Sequence, residues 1–256
     1  MKALEKRIQH RHQLCFIDLE GTQFSHEMIA IGAVKVDIHK DMTIKKIHKG
    51  YYTLVKAKNK VGKVVEELTG ITDEQIKKDG VSFRQAINDI KKYLGKEFSK
   101  TLFVTFGNHD LRILSQSLAY NLDAPKEDTY LMIKHNFDLS EFISTYIKDD
   151  NNNTYSLANM LKIFHVEFEG TQHDAYADAL NLAYLYDAML KNKEILKEEY
   201  LKVLAKMRHL PEPVHEAIVK LVSGNEVTPE QFAGLVEDSL KWSNIQTEKD
   251  SLKPKQ

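Results

Sequence analysis

The sequence has a single cysteine, Cys15, and therefore no partner with which to form an intramolecular disulfide. This points to a reducing compartment, with Cys15 acting as a small buried hydrophobe inside an apolar run. No stretch approaches the roughly 18 consecutive apolar residues that a membrane span needs. The basic N-terminus "MKALEKRIQHRHQL" also lacks the apolar core of a secretory signal. A soluble, cytoplasmic protein with no membrane partner is the expectation. An excess of charge of one sign is missing too, since 36 Lys and Arg stand against 37 Asp and Glu. Any nucleic-acid binding must then come from a local cluster rather than a global field. No internal repeat is evident.

What is present is enough apolar content, 42% of 256 residues, to fill a real core. The first third is β-rich: "LCFIDLEG", "MIAIGAVKVD" and "IHKGYYTLV" predict three antiparallel strands. From about Val61 the apolar spacing turns helical through "VGKVVEELTG" and "DEQIKKDGVSFRQAINDIKKYLG", with Ser82 as a helix cap. "TLFVTFG" (101–107) predicts a buried strand feeding the helix "DLRILSQSLAYNL", and "HNFDLSEF" (135–142) predicts another strand. "SLANMLKIFHV" and one long helix, "HDAYADALNLAYLYDAMLKNKEILKEEYLKVLAK", follow. This order predicts an α/β domain with a mixed sheet covered by helices, over residues 13–190. Residues 191–256 predict a helical extension, with Thr228 capping a helix that starts at Pro229 and a frayed tail from Ser243.

Within the first strand, Asp18 and Glu20 stand two positions apart and therefore project from one face. Two carboxylates so close need a shared proton, a basic neighbour or a divalent cation. Taken alone, the pair is better accounted for by a solvated strand face. Asp110 in "TFGNHDLRIL" follows a buried strand and reads either as a cleft residue or as a helix N-cap. Asp178 sits on a helix among Ala175, Ala177 and Ala179, small residues that permit close approach to a sheet. His173 stands near the start of that helix, and histidine is a residue type suited to take a proton from water, with His109 as a competitor.

Together, "FIDLEGT", "TFGNHDLRIL" and "HDAYADAL" resemble the three motifs of the DEDDh, or DnaQ-like, 3′→5′ exonucleases, and "ELTGIT" (67–72) resembles a segment found between the first two. The resemblance implies an RNase H-like exonuclease fold with a five-stranded mixed sheet. It makes Asp18, Glu20, Asp110 and Asp178 the ligands of two divalent cations, Mg²⁺ or Mn²⁺, and His173 the general base. It also places Glu20, Gly21, Thr22, Leu68 and His173 against the terminal nucleotide of single-stranded or frayed DNA or RNA, with nucleoside 5′-monophosphates as products. "DLEGT" is similar to the Eri-1-like branch and lacks the second threonine and glycine of proofreading subunits. Two other functions remain open: a non-catalytic nucleic-acid-binding or adaptor module on the same fold, and a hydrolase of very short oligonucleotides.

Overall fold

The computed structural model describes residues 2–8 and 11–251. In chain order the elements are α1 (Lys2–Ile8), β1 (Gln13–Gly21), β2 (Met28–Ile38), β3 (Ile44–Ile47), β4 (Tyr51–Leu54), α2 (Lys63–Thr69), α3 (Asp73–Asp79) and α4 (Phe83–Leu94). After a short 3-10 turn come β5 (Leu102–Thr105), α5 (His109–Tyr120), α6 (Lys126–Lys134), β6 (Asn136–Asp138), α7 (Leu139–Ile143) and α8 (Leu157–Ile163). The chain continues through α9 (Ala175–Lys191), α10 (Lys193–Ala205), α11 (Glu212–Val222) and α12 (Pro229–Ser251). It divides into two compact units. One is the chain up to Ser144 with Asn153–Lys193, and the other is Thr145–Asn152 with the chain after Lys193.

The sheet is mixed and runs β3-β2-β1-β5-β6, with β1 antiparallel to β2 and parallel to β5. The expected third strand is split in two. β3 pairs with Val36–Ile38 and β4 with Ala30–Ala33, so both pieces lie along the same edge of β2 and five lateral positions hold six strands. The gap between them contains Gly50, where any Cβ would overlap the Tyr176 ring. The strand expected at 135–142 is shorter, because Asp138 caps α7 by accepting the Glu141 N–H at 3.0 Å.

Alternation along β1 sorts its side chains. Cys15, Ile17 and Leu19 enter a core with Ile31, Ala33, Phe83, Ile87, Ile113 and Leu114, supplied by β2, α4 and α5. Each such fully buried side chain contributes about 2 kcal/mol. The other face of the strand meets α9, where Phe16 packs on Tyr186 with ring centroids 5.4 Å apart. Burial pushes the Cys15 thiol far up, as a structural cysteine requires.

Several helix ends follow from local chemistry. The Ser82 hydroxyl accepts the Gln85 N–H at 3.1 Å, and Thr228 accepts the Gln231 N–H at 3.2 Å ahead of Pro229. The single long helix expected after residue 173 is instead two. Asn192 adopts φ −106° and its Nδ2 donates to the Ala188 carbonyl at 2.9 Å, so the side chain competes with the backbone and ends α9. In the second unit, α12 continues to Ser251, through much of the stretch expected to fray; residues 252–256 lie outside the described residues.

Candidate active site

Asp18 and Glu20 lie on the α9 face of β1, both only partly covered. Register explains how a helix reaches them. Asp18 pairs across the ladder with Gly32, and a Cβ at Gly32 would overlap the Ala175 carbonyl. The first turn of α9 therefore rests directly on the backbone of β2, one strand away from Asp18. Ala175 and Ala179 are buried in that contact zone, consistent with the small residues in "HDAYADAL". Gly32, which leaves room for this contact, was missed in the sequence; its only signal is a glycine inside an otherwise β-rich run.

Asp110 is neither exposed nor a helix cap. It is 5% exposed and its Oδ1 accepts the Leu19 N–H at 2.8 Å. Pairing of β1 with β5 ends at Phe16–Val104, so beyond that point the β1 edge would leave this N–H without a partner. Asp110 supplies the acceptor from α5 and holds the backbone between Asp18 and Glu20. On the opposite side, Asp178 Oδ2 accepts the His173 N–H at 2.9 Å. His173 takes a left-handed φ of 65°, a conformation held by that bond and by Asp174, which caps α9 through the Ala177 N–H at 2.9 Å. One ligand atom each from Glu20, His173 and Asp178 all lie within 4.8 Å of one another. His109 packs edge-on against His26, ring centroids 5.3 Å apart, outside that group.

The electrostatics are those of crowded acids. Burial raises the Asp18 carboxyl well above its usual range, and Asp110, Glu20, Asp178 and Asp174 push it further. Glu20 is pushed up to about 8 by burial and then by Asp178, Asp110 and Asp174. Asp110 rises to about 7 through burial, against the opposing pull of the Leu19 N–H. Asp178 is raised by burial and drawn back by the His173 N–H. Oxygen-rich donors that repel one another and carry a neighbouring imidazole suit a hard divalent cation, which would relieve the repulsion. Asp174, the fifth acid, was not singled out from the sequence.

Around these groups, Asp18, His173 and Asp178 share a cavity of about 190 Å³ with Phe106, Ser156 and Phe168. A larger cavity, about 530 Å³, lies at the other end of β1 beside Arg11 and His12 and holds none of these acids, so chemistry rather than volume marks the site. Gly21 and Thr22 are buried at the end of β1. A Cβ on Gly21 would press into the Ile113 side chain at 2.9 Å, and the Thr22 hydroxyl accepts the Glu27 N–H at 3.0 Å. Leu68, on α2, is 52% exposed, and that helix ends at Gly70 in a left-handed conformation. Phe24 and Tyr52 are also exposed, the latter paired with Gly32 in the same row as Asp18; neither was picked from the sequence.

A family model described as exonuclease, RNase T, matches residues 15–186. No curated protein matches the chain. Among solved structures, the nuclease domain of 3′hExo, a DEDDh family member bound to rAMP, is 18% identical with a TM-score of 0.52, covering 72% of this chain and 94% of that one. Cell-death related nuclease 4 (CRN-4) is 21% identical with a TM-score of 0.51, covering 70% of this chain and 64% of that one. E. coli Exonuclease I in complex with a dT13 oligonucleotide is 16% identical with a TM-score of 0.56, covering 75% of this chain and 44% of that one. These likenesses speak for the RNase H-like exonuclease fold, and the family match spans well over half of the chain with Asp18, Glu20, Asp110, His173 and Asp178 inside it. The chain belongs to the RNase T exonuclease family.

Proposed function

We propose that the protein is a cation-dependent 3′→5′ exonuclease that trims single-stranded or frayed DNA or RNA and releases nucleoside 5′-monophosphates. The observation that carries this is the convergence of Glu20, His173 and Asp178 within 4.8 Å, beside Asp18 and Asp110. Of the similar structures, the 3′hExo nuclease domain is bound to rAMP and E. coli Exonuclease I is in complex with a dT13 oligonucleotide. Asp18, Glu20, Asp110 and Asp178 are the residues that would hold two divalent cations, Mg²⁺ or Mn²⁺. When bound, such ions neutralise charge on the attacking and leaving oxygens.

His173 accepts a proton from the attacking water through its ring nitrogen while the water oxygen bonds to phosphorus; the pair of the P–O3′ bond leaves with the 3′ oxygen of the shortened strand, which takes a proton from solvent. A base so placed contributes ~10²–10⁴-fold. The backbone that carries this ring is anchored through the His173 N–H to Asp178. Glu20, Gly21 and Thr22 border the terminal nucleotide at the end of β1. Leu68, left open to solvent on α2, and Phe24 offer apolar contact to its base.

The test uses a 5′-labelled single strand, as DNA and as RNA, with Mg²⁺, Mn²⁺ or chelator. Wild type should yield a ladder shortening from the 3′ end that chelator, Asp178→Ala and His173→Ala abolish. Intact strands of both kinds with cation bound would reject the reading in favour of a binding module. Cleavage confined to dinucleotides would favour the short-oligonucleotide hydrolase.

A further inference from the structure

Away from the acids, four lysines, Lys56, Lys58, Lys60 and Lys77, line a groove of about 300 Å³ between the loop after β4 and α3. One acid, Asp73, shares the lining, and its Oδ1 is committed to the Val61 N–H at 3.0 Å. Among the described residues, Lys56, Lys60 and Lys77 form no ion pair, whereas lysines of α10 pair with acids three residues away, Lys197 with Glu194 and Lys202 with Glu199. The groove thus concentrates positive charge in a chain whose net charge is −1.

The loop that carries three of these lysines is not a loose surface segment. Buried Glu27 accepts the Lys58 N–H at 2.9 Å, the Asn59 N–H at 3.0 Å and Asn59 Nδ2 at 2.5 Å. Gln23, three residues past Glu20, donates its N–H to the Val61 carbonyl at 2.8 Å. The lysine loop is therefore bolted to the segment that leaves the acidic cluster. Across the sheet, Glu20 pairs with Ala30 and Ala30 with Leu54. Two strand spacings of ~4.8 Å put the backbone of Leu54 about 10 Å from that of Glu20, with Lys56 two residues further on.

We infer that this groove is a second binding site, one that grips the phosphodiester backbone of the substrate strand several nucleotides upstream of the end being cut. This rests on the exonuclease reading. Charge complementarity chooses the occupant: ammonium groups on a fixed backbone engage phosphates without reading sequence, as an enzyme that trims many strands requires. A dinucleotide has one phosphodiester, the one being cut at the acidic cluster, and so has none left for the groove; the site acts on longer strands.

The experiment compares wild type with Lys56→Ala/Lys60→Ala/Lys77→Ala in the full chain, after thermal melting shows both folded. Anisotropy of a 5′-fluorescein single-stranded 20-mer is followed in chelator, which prevents cleavage, across about 50 to 200 mM salt. The variant should bind more than tenfold more weakly at the low-salt end, and its slope of log K against log salt should fall by about 2, from ~0.7 per lost phosphate contact. With Mn²⁺ added, its ratio of kcat/KM for the 20-mer over a dinucleotide should fall at least tenfold. An unaltered slope and affinity, or polyglutamate competing as well as the strand, would overturn the proposal. If wild type cuts neither substrate, the exonuclease reading fails while the anisotropy still decides the groove.

Discussion

Glu20 and Glu27 are seven positions apart, of one residue type, and have opposite fates. Glu27 is 1% exposed, and donors from Ser25, Lys58 and Asn59 converge on its carboxylate. Glu20 is partly buried, yet among the described residues no hydrogen-bond donor reaches its carboxylate, and burial with neighbouring acids pushes it up to about 8. The first is a structural anchor whose charge is met by donors within the chain. The second is left unmet beside four more acids, the pattern of a site that awaits a ligand.

The sharpest way to break that comparison is to neutralise Glu20. Glu20→Gln should lower kcat about 10³-fold, roughly 4 kcal/mol of barrier, while raising the melting temperature in chelator at pH 8, since one repelling charge is gone. A lower melting temperature would make Glu20 a structural acid like Glu27. Glu27→Ala is expected to do the reverse on stability, costing about 3 kcal/mol by leaving backbone donors of the 56–60 loop unmet. Denaturant titration reads that directly, and a loss under about 1 kcal/mol would mean that water substitutes for the carboxylate.

Gly32→Ala tests what brings the acids together. The added methyl has no room under the Ala175 carbonyl, so α9 must lift, at about 1–3 kcal/mol. Mn²⁺ affinity and kcat should both fall, because Asp178 moves with the helix. Unchanged Mn²⁺ binding would show that the contact is not what places Asp178.

A last test of the same contrast is by pH. Folded Glu20 keeps its proton up to about 8, and Asp110 to about 7, whereas both release it near 4 in the unfolded chain. The folded state then binds more protons across this window, so these groups make stability fall as pH rises from about 4 to about 8. Melting in chelator should decline over that range, and Mn²⁺ should raise the melting temperature more at pH 8 than at pH 5. Equal shifts at both values would contradict the raised carboxyls.

Legibility differed from element to element. The period of two along β1 put Asp18 and Glu20 on one face, and the caps at Ser82 and Thr228 could be placed, because both depend on neighbours a few residues away. Asp110 was visible as an acid after a strand, but the N-cap alternative was wrong for a reason no local pattern holds: its partner, the Leu19 N–H, is 91 residues distant. The end of α9 at Asn192 was hidden inside an unbroken helical periodicity, since a side-chain bond to Ala188 decides it. Gly50, which separates β3 from β4, is explained by Tyr176, far along the chain.

The sequence by itself determined the strand faces, the helical stretches and the ordered set of acids with one histidine, since alternation, periodicity and motif spacing are properties of neighbouring residues. Only the tertiary structure decided that α9 could settle on Gly32, that Asp110 would hold the backbone between Asp18 and Glu20, and that Glu27 would bolt a lysine loop beside them. Each of these is a close approach or a buried hydrogen bond between distant segments. Such contacts exist only once the core has folded around them.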